Sequence, residues 1–316
     1  QGYTKTVDES AEPIIIQPNG SLTFNYLDTG GLPLSPLQLS NATAMCQLMA
    51  GVQADADKNR LRGAHLSSAI RQLYRDFYDD WARKHPSKLR ELADEVLTVR
   101  TYLDSLPPGS TFLDAHMHYR DLFATGSIDS VPEFPEQEID QALKDPELSE
   151  LIFHQAFAYL KPAQMPTHGH LQEFLALESH GPNAEDCRTL AKLLEPWSAG
   201  GNYGPILDGA SNIRLDGKIA HFELGYIPES AQDLRAVAAF LITNYARNEV
   251  LTRPRTQRKR IVLEELSAFL AIPDGDRITR EFYERMRKYN CWVISVIQQF
   301  GRFYESPVRS SVMGNS

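Results

Sequence analysis

Residues Arg260 to Leu266 read Arg-Ile-Val-Leu-Glu-Glu-Leu, a short β-branched run that ends abruptly in two adjacent carboxylates. A buried parallel strand reads as a continuous Ile/Val/Leu run, and open α/β sheets gather their chemistry at the carboxyl ends of such strands. Acids at that point can order a nucleotide-bound Mg²⁺ and polarise an attacking water. The plainer alternative is a strand running into a helix N-terminus, where Glu264 and Glu265 would simply suit the helix dipole.

Gln298 closes the next apolar run, Cys291 to Ile297. Parallel strands present their carboxyl ends on one edge, so Glu264, Glu265 and Gln298 can converge there. A water-orienting amide beside a metal-ordering acid is what phosphoryl transfer needs, because that chemistry depends on positioning and charge stabilisation. Between the two runs lies Arg285-Met286-Arg287-Lys288-Tyr289-Asn290. A guanidinium at a subunit boundary can stabilise a phosphoryl group in transfer, although helix C-termini collect cations for dipole reasons alone.

Other chemistries find less support. His116 and His118 sit two apart in a predicted helix, where they point to different faces and cannot share a metal. His168 and His170 flank Gly169 and read as loop capping or packing. There is no Gly-x-Ser-x-Gly elbow. Nor is there a Gly-x-x-x-x-Gly-Lys-Ser/Thr loop, the element that cradles nucleotide phosphates through backbone N–H groups and a lysine.

The elements that must position these residues fall into two styles. Pro13 to Gln17 reads as a buried strand, followed by a Pro-Asn-Gly turn and an extended piece from Ser21 to Tyr26. From Ser40-Asn41 the pattern turns helical. Apolar residues at three- and four-residue spacing mark Leu39 to Val52, Asn59 to Arg83, Lys88 to Leu106, Thr111 to Phe123, Glu136 to Lys144, Pro146 to Leu160, His170 to Glu178 and Ala184 to Leu194. After the Ser198 to Pro205 loop the style changes. Strand Lys218 to Leu224, helix Ala231 to Val250, strand Arg260 to Leu263, helix Arg277 to Lys288 and strand Cys291 to Ile297 follow in turn. That alternation is the signature of a parallel α/β sheet, with the helical middle as an insertion.

With 316 residues and 42% hydrophobic content, the chain can bury a substantial core. Its net charge of -9 argues against a chain-wide grip on nucleic acid or anionic lipid. Arg253, Arg255, Arg258, Lys259 and Arg260 form either a local basic patch or a solvated linker rim. The three cysteines are odd in number and far apart, which fits a reducing compartment rather than a disulfide framework. No apolar run approaches a membrane span and no signal peptide opens the chain. It starts Gln1-Gly2-Tyr3 without Met, as a piece of a longer protein would.

Several short motifs occur here in a telling order: Leu193-Leu194-Glu195-Pro196-Trp197, Gly200-Gly201-Asn202-Tyr203-Gly204, Leu207-Asp208-Gly209, Phe222-Glu223-Leu224, the acidic strand, Met286-Arg287-Lys288-Tyr289-Asn290 and Gln298. The series resembles the conjugative-transfer ATPases of type IV secretion systems, the VirB/TraC/TrbE kind. The early segment with Phe24-Asn25-Tyr26-Leu27 is similar to the stretch that follows the phosphate loop in that family. The resemblance implies an α/β fold: a RecA-like P-loop NTPase core, residues 1–38 and 199–316, with an all-helical subdomain inserted at 39–198.

It further implies ATP and Mg²⁺ as cofactors and bacterial cytoplasmic hexamers docked on inner-membrane secretion-channel components. By position Glu264 and Glu265 match the Walker B acids, with Glu264 toward the metal and nucleotide. Gln298 matches the γ-phosphate-sensing Gln, and Arg287 the candidate arginine finger. Two departures stand out: Glu264 occupies a position that is normally Asp, and the phosphate loop is missing. The chain is then expected to be the C-terminal portion of such a motor, inactive without that loop. A non-hydrolysing scaffold subunit, or a DNA-pumping translocase of the HerA or coupling-protein kind, are the alternatives.

Overall fold

The computed structural model describes residues 12–18, 20–51, 55–128, 131–178, 184–213, 215, 218–228, 230–264, 266, 270, 275–297 and 300–315. After strand β1 (Pro13–Ile15) comes a helical series: α1 (Pro36–Met49), α2 (Ala56–Lys84), α3 (Pro86–Leu103), α4 (Phe112–Ala124), α5 (Glu136–Ala142), α6 (Pro146–Ala156), α7 (His168–Glu178) and α8 (Ala184–Leu194). Strands and helices then alternate through β2 (His221–Glu223), α9 (Gln232–Thr252), β3 (Lys259–Leu263), α10 (Gly275–Arg285) and β4 (Cys291–Ser295). The short helices α11 (Phe300–Glu305) and α12 (Arg309–Gly314) follow.

Local chemistry sets these boundaries. Ser35 caps α1 by accepting from the Gln38 N–H, and Pro36 fills a first-turn position where no N–H is needed. Asp55 caps α2 in the same way, and Pro86 separates α2 from α3 by disfavouring helical backbone at His85. Thr111 and Asp114 form a reciprocal capping box at the start of α4. The helices pack around a core that includes Tyr74, Phe153 and Phe157, whose rings meet edge to face. That core runs without interruption into α9 and α10 through Leu234, Val237, Phe240, Ile278 and Phe282.

The strands are parallel, as the alternating pattern predicts, but they form two separate two-stranded sheets among the described residues. β1 lies along β2, with Ile14 opposite Phe222. β3 lies along β4, with Lys259 opposite Cys291 and Leu263 opposite Ser295. The expected extended piece from Ser21 to Tyr26 is not a strand. Its backbone is clasped by the 205–212 loop through Phe24 N–H to Ile206 O at 2.7 Å and Thr23 N–H to Asn212 Oδ1 at 2.9 Å. Isolated backbone bonds and one side-chain acceptor replace a ladder there. Helix α10 also ends earlier than expected, tightening into a 3₁₀ turn at Met286–Tyr289 before Asn290, at φ 55°, turns the chain into β4.

One face of the β3–β4 pair packs on Phe282 and Tyr283 of α10, on Met286 of the 3₁₀ turn and on Val308 and Val312. The other face carries Arg260, Val262, Trp292 and Ile294, all exposed. Trp292 is 62% exposed and Val262 49%, although parallel sheets are normally covered on both faces. No helix among the described residues is long and apolar enough to cross a membrane.

Candidate functional site

The ladder fixes where the predicted residues can stand. Because β3 and β4 run parallel and in register, their carboxyl ends share one edge. The ladder continues just past them, with Val296 N–H donating to Leu263 O at 2.8 Å and Leu266 N–H to Val296 O at 3.1 Å. Glu264 sits in that crossing, exposed, in the turn that leaves β3. Among the described residues it has no hydrogen-bond or ion-pair partner. Glu265 and Gln298, its expected companions, lie outside the described residues.

Arg287 stands at the opposite end. It belongs to the 3₁₀ turn before β4, on the amino-terminal edge of the sheet, and is exposed. With a rise of about 3.3 Å per residue, the strands hold Arg287 and Glu264 on the order of 15 Å apart. One sheet therefore cannot bring these two residues to a single phosphate. The neighbouring Lys288 is committed to Asp114 of α4 at 2.8 Å. Burial works against the Asp114 carboxylate, but hydrogen bonds from Lys288 and Thr111 outweigh it and hold its pKa at about 2. The basic run is partly committed too: Arg253 pairs with Glu249, Arg255 with Asp121, and Lys259 Nζ donates to Pro254 O at 2.8 Å.

The glycine-rich motifs do structural work. A Cβ on Gly201 or Gly204 would fall far inside contact distance of the Pro196 or Ser198 carbonyl, so only glycine lets the loop close on itself. Asp208 then locks the loop. Its two carboxylate oxygens accept from Ala199 N–H and Gly169 N–H, each at 2.7 Å, tying the loop to the first turn of α7. Trp197, buried, donates Nε1–H to Met49 O at 3.3 Å and pins the same corner to α1. The sequence signals a turn here but not this clamp, whose partners are 39 and 148 residues apart.

A buried polar knot lies beside that corner. His168 Nε2 is 3.1 Å from Leu194 O, which can only accept, so Nε2 carries the proton and Nδ1 is an acceptor. Tyr26 therefore donates its hydroxyl to Nδ1 at 3.0 Å and accepts from the Cys46 thiol at 3.3 Å. Burial pushes the Tyr26 hydroxyl well above its ordinary range, lifts the Cys46 thiol to about 12 and lowers the His168 imidazole. All three groups are neutral at pH 7 and sealed from solvent, so the knot holds α1 to α7 and has no nucleophile to offer. His170, by contrast, caps locally by accepting from Thr167 N–H at 3.1 Å.

Among the described residues Glu264 is thus an exposed carboxylate at the carboxyl-terminal edge of the β3–β4 pair. No family model and no curated protein sequence matches the chain. Among solved structures it is similar to VirB4 of Thermoanaerobacter pseudethanolicus, with a TM-score of 0.59 and 16% sequence identity. The match covers 98% of this chain and 63% of that one, so the chain spans less than two thirds of the VirB4 structure, and what the two share is a fold.

Proposed function

We propose that residues 1–316 form the C-terminal portion of a motor ATPase of a type IV secretion or conjugation system. The observation that carries this reading is the parallel β3–β4 pair, with the exposed Glu264 carboxylate at the carboxyl end of β3 and a VirB4-like chain path around it. In this reading the fold is a RecA-like core interrupted by a helical subdomain. Chain outside these residues supplies the phosphate loop and covers the bare face of Val262, Trp292 and Ile294. Bound Mg²⁺ would neutralise charge on the nucleotide phosphates. Glu264 fits as one of its oxygen ligands, Glu265 orients and deprotonates the attacking water, and Gln298 senses the γ-phosphate.

Arg287 stands on the wrong edge to serve its own Glu264, so it acts on the nucleotide of a neighbouring subunit, which makes an oligomer, a hexamer in this reading, part of the active unit. The assembly would dock on inner-membrane channel components from the cytoplasm. A non-hydrolysing scaffold is the second reading, favoured by the longer Glu at the usual Asp position and by the missing loop.

Mixing subunits tests the in-trans geometry. In an intact-length protein, Arg287→Ala and Glu264→Gln subunits should each hydrolyse ATP poorly, and their mixture should regain part of the lost turnover. A mixture no better than the mean of its parts would remove the in-trans role of Arg287. Intact-length protein that binds no ATP at all would favour the scaffold.

A further inference from the structure

Arg287 stands in a turn whose geometry decides where its guanidinium can reach. In a 3₁₀ turn, residues three apart lie on one side. Met286 and Tyr289 are such a pair, and both are buried in the main core, which leaves Arg287 and Lys288 facing outward. The Arg287 carbonyl accepts from Asn290 N–H at 3.1 Å, where the chain turns into β4. The core thus fixes the inner side of the turn. A helix from the other part of the chain holds its outer side.

Asp114 and Asp121 lie two helical turns apart on α4 and so share one face of it. Asp114 Oδ1 accepts from Lys288 Nζ at 2.8 Å and from the Tyr289 hydroxyl at 3.3 Å. Its Oδ2 accepts from the N–H and the hydroxyl of Thr111, at 3.1 and 2.8 Å, so the capping box that starts α4 also aims this carboxylate. Asp121 pairs with Arg255 at 3.4 Å, and the Arg255 guanidinium lies over the Tyr289 ring, 5.1 Å from its centre. Between the two acids, Arg120 donates to Leu251 O in the last turn of α9. Helix α4 therefore acts as a strut against the α/β part, and both residues that follow Arg287 are tied to it.

We propose that Asp114 is a positioning residue for Arg287: from the helical part of the molecule it sets the turn from which Arg287 reaches the nucleotide of a neighbouring subunit. The assignment rests on the in-trans role of Arg287. Its action passes through the backbone, since the Asp114 bonds go to the two residues after Arg287. Misplacing a group that stabilises a transition state by about 1 Å can cost on the order of 100-fold in rate, so a loosened turn is felt in turnover before it is felt in binding.

Steady-state ATP hydrolysis by the intact-length protein tests this. Asp114→Ala and Lys288→Met cut the tie from its two sides, and each should lower kcat about tenfold while leaving the KM for ATP within about twofold of the parent's. Asp114→Glu should keep turnover close to the parent's, because glutamate is the usual acid at that position of a capping box and can still reach Lys288. Added to Arg287→Ala, Asp114→Ala should cost nothing further, whereas a general loss of structure would multiply the two effects. Parental turnover in both Asp114→Ala and Lys288→Met beside an impaired Arg287→Ala, or losses that multiply in the double variant, would overturn the proposal and leave the role of Arg287 standing. Parental turnover in Arg287→Ala itself would remove that role and the proposal with it. Should Asp114→Ala lose its fold by circular dichroism, Lys288→Met, at an exposed position of the turn, decides alone.

Discussion

Gly204 and His116 show what single positions carry in this molecule. Gly204→Ala would drive a methyl group into the Ser198 carbonyl, and overpacking of that kind costs about 3 kcal/mol. Gly209→Ala meets only the Thr23 methyl at 3.4 Å and should cost less than about 1 kcal/mol, so urea denaturation of the two variants separates a packing requirement from a general glycine effect. Burial, with Arg120 nearby, lowers the His116 pKa from 6.5 to about 4. The unfolded chain therefore takes up a proton first as pH falls, and stability present above pH 6.5 is lost between 6.5 and about 4. The loss from this group is about 2 kcal/mol at pH 5, and His116→Gln should flatten the pH dependence of the urea midpoint. A profile identical to that of the parent would contradict it. Reading residues one at a time finds the glycines and the acids. It does not find the bond from Tyr26 to His168, because 142 residues separate the partners and neither lies in a periodic pattern that points to the other.

The β3–β4 pair marks the limit of what elements reveal by pattern. The β-branched runs announce both strands, and Glu264 at a strand end is legible because the run stops there. Pairing direction follows from the intervening helix α10. The position of Arg287 follows from the same direction, because the turn just before β4 lies at its amino end, on the edge opposite to Glu264. The bare outer face leads to a measurement. Trp292 emission in the 316-residue chain should be red-shifted and readily quenched by acrylamide, and Trp292→Phe should remove that component, leaving the more sheltered Trp81 and Trp197. In an intact-length protein the same signal should be protected; an equally quenchable Trp292 there would show that nothing covers the sheet. Between α9 and α10, Arg247 and Glu281 pair at 2.9 Å with both side chains nearly buried. Glu281→Ala should cost about 3 kcal/mol by stranding the guanidinium, more than the paired replacement Arg247→Met with Glu281→Leu.

For the molecule as a whole, the helical series and the α/β part are bound by one hydrophobic core and by cross-links from opposite ends of the chain. Arg120 Nη2 donates to Leu251 O at 2.7 Å, Lys288 reaches Asp114, and Asn41 holds Arg277. The switch from helical to alternating style after residue 198 was visible in periodicity, whereas these long-range ties, between residues 131 to 236 positions apart, were not. The chain spans 63% of the VirB4 structure, and in the proposed reading further chain covers the bare sheet face. The central claim of the proposed function is that the acids closing β3 serve ATP hydrolysis. The direct measurement is nucleotide binding and turnover by an intact-length protein carrying Glu265→Gln. The account predicts ATP binding close to that of the parent with turnover reduced by about 100-fold or more, the scale of a lost general base; unchanged turnover would contradict it.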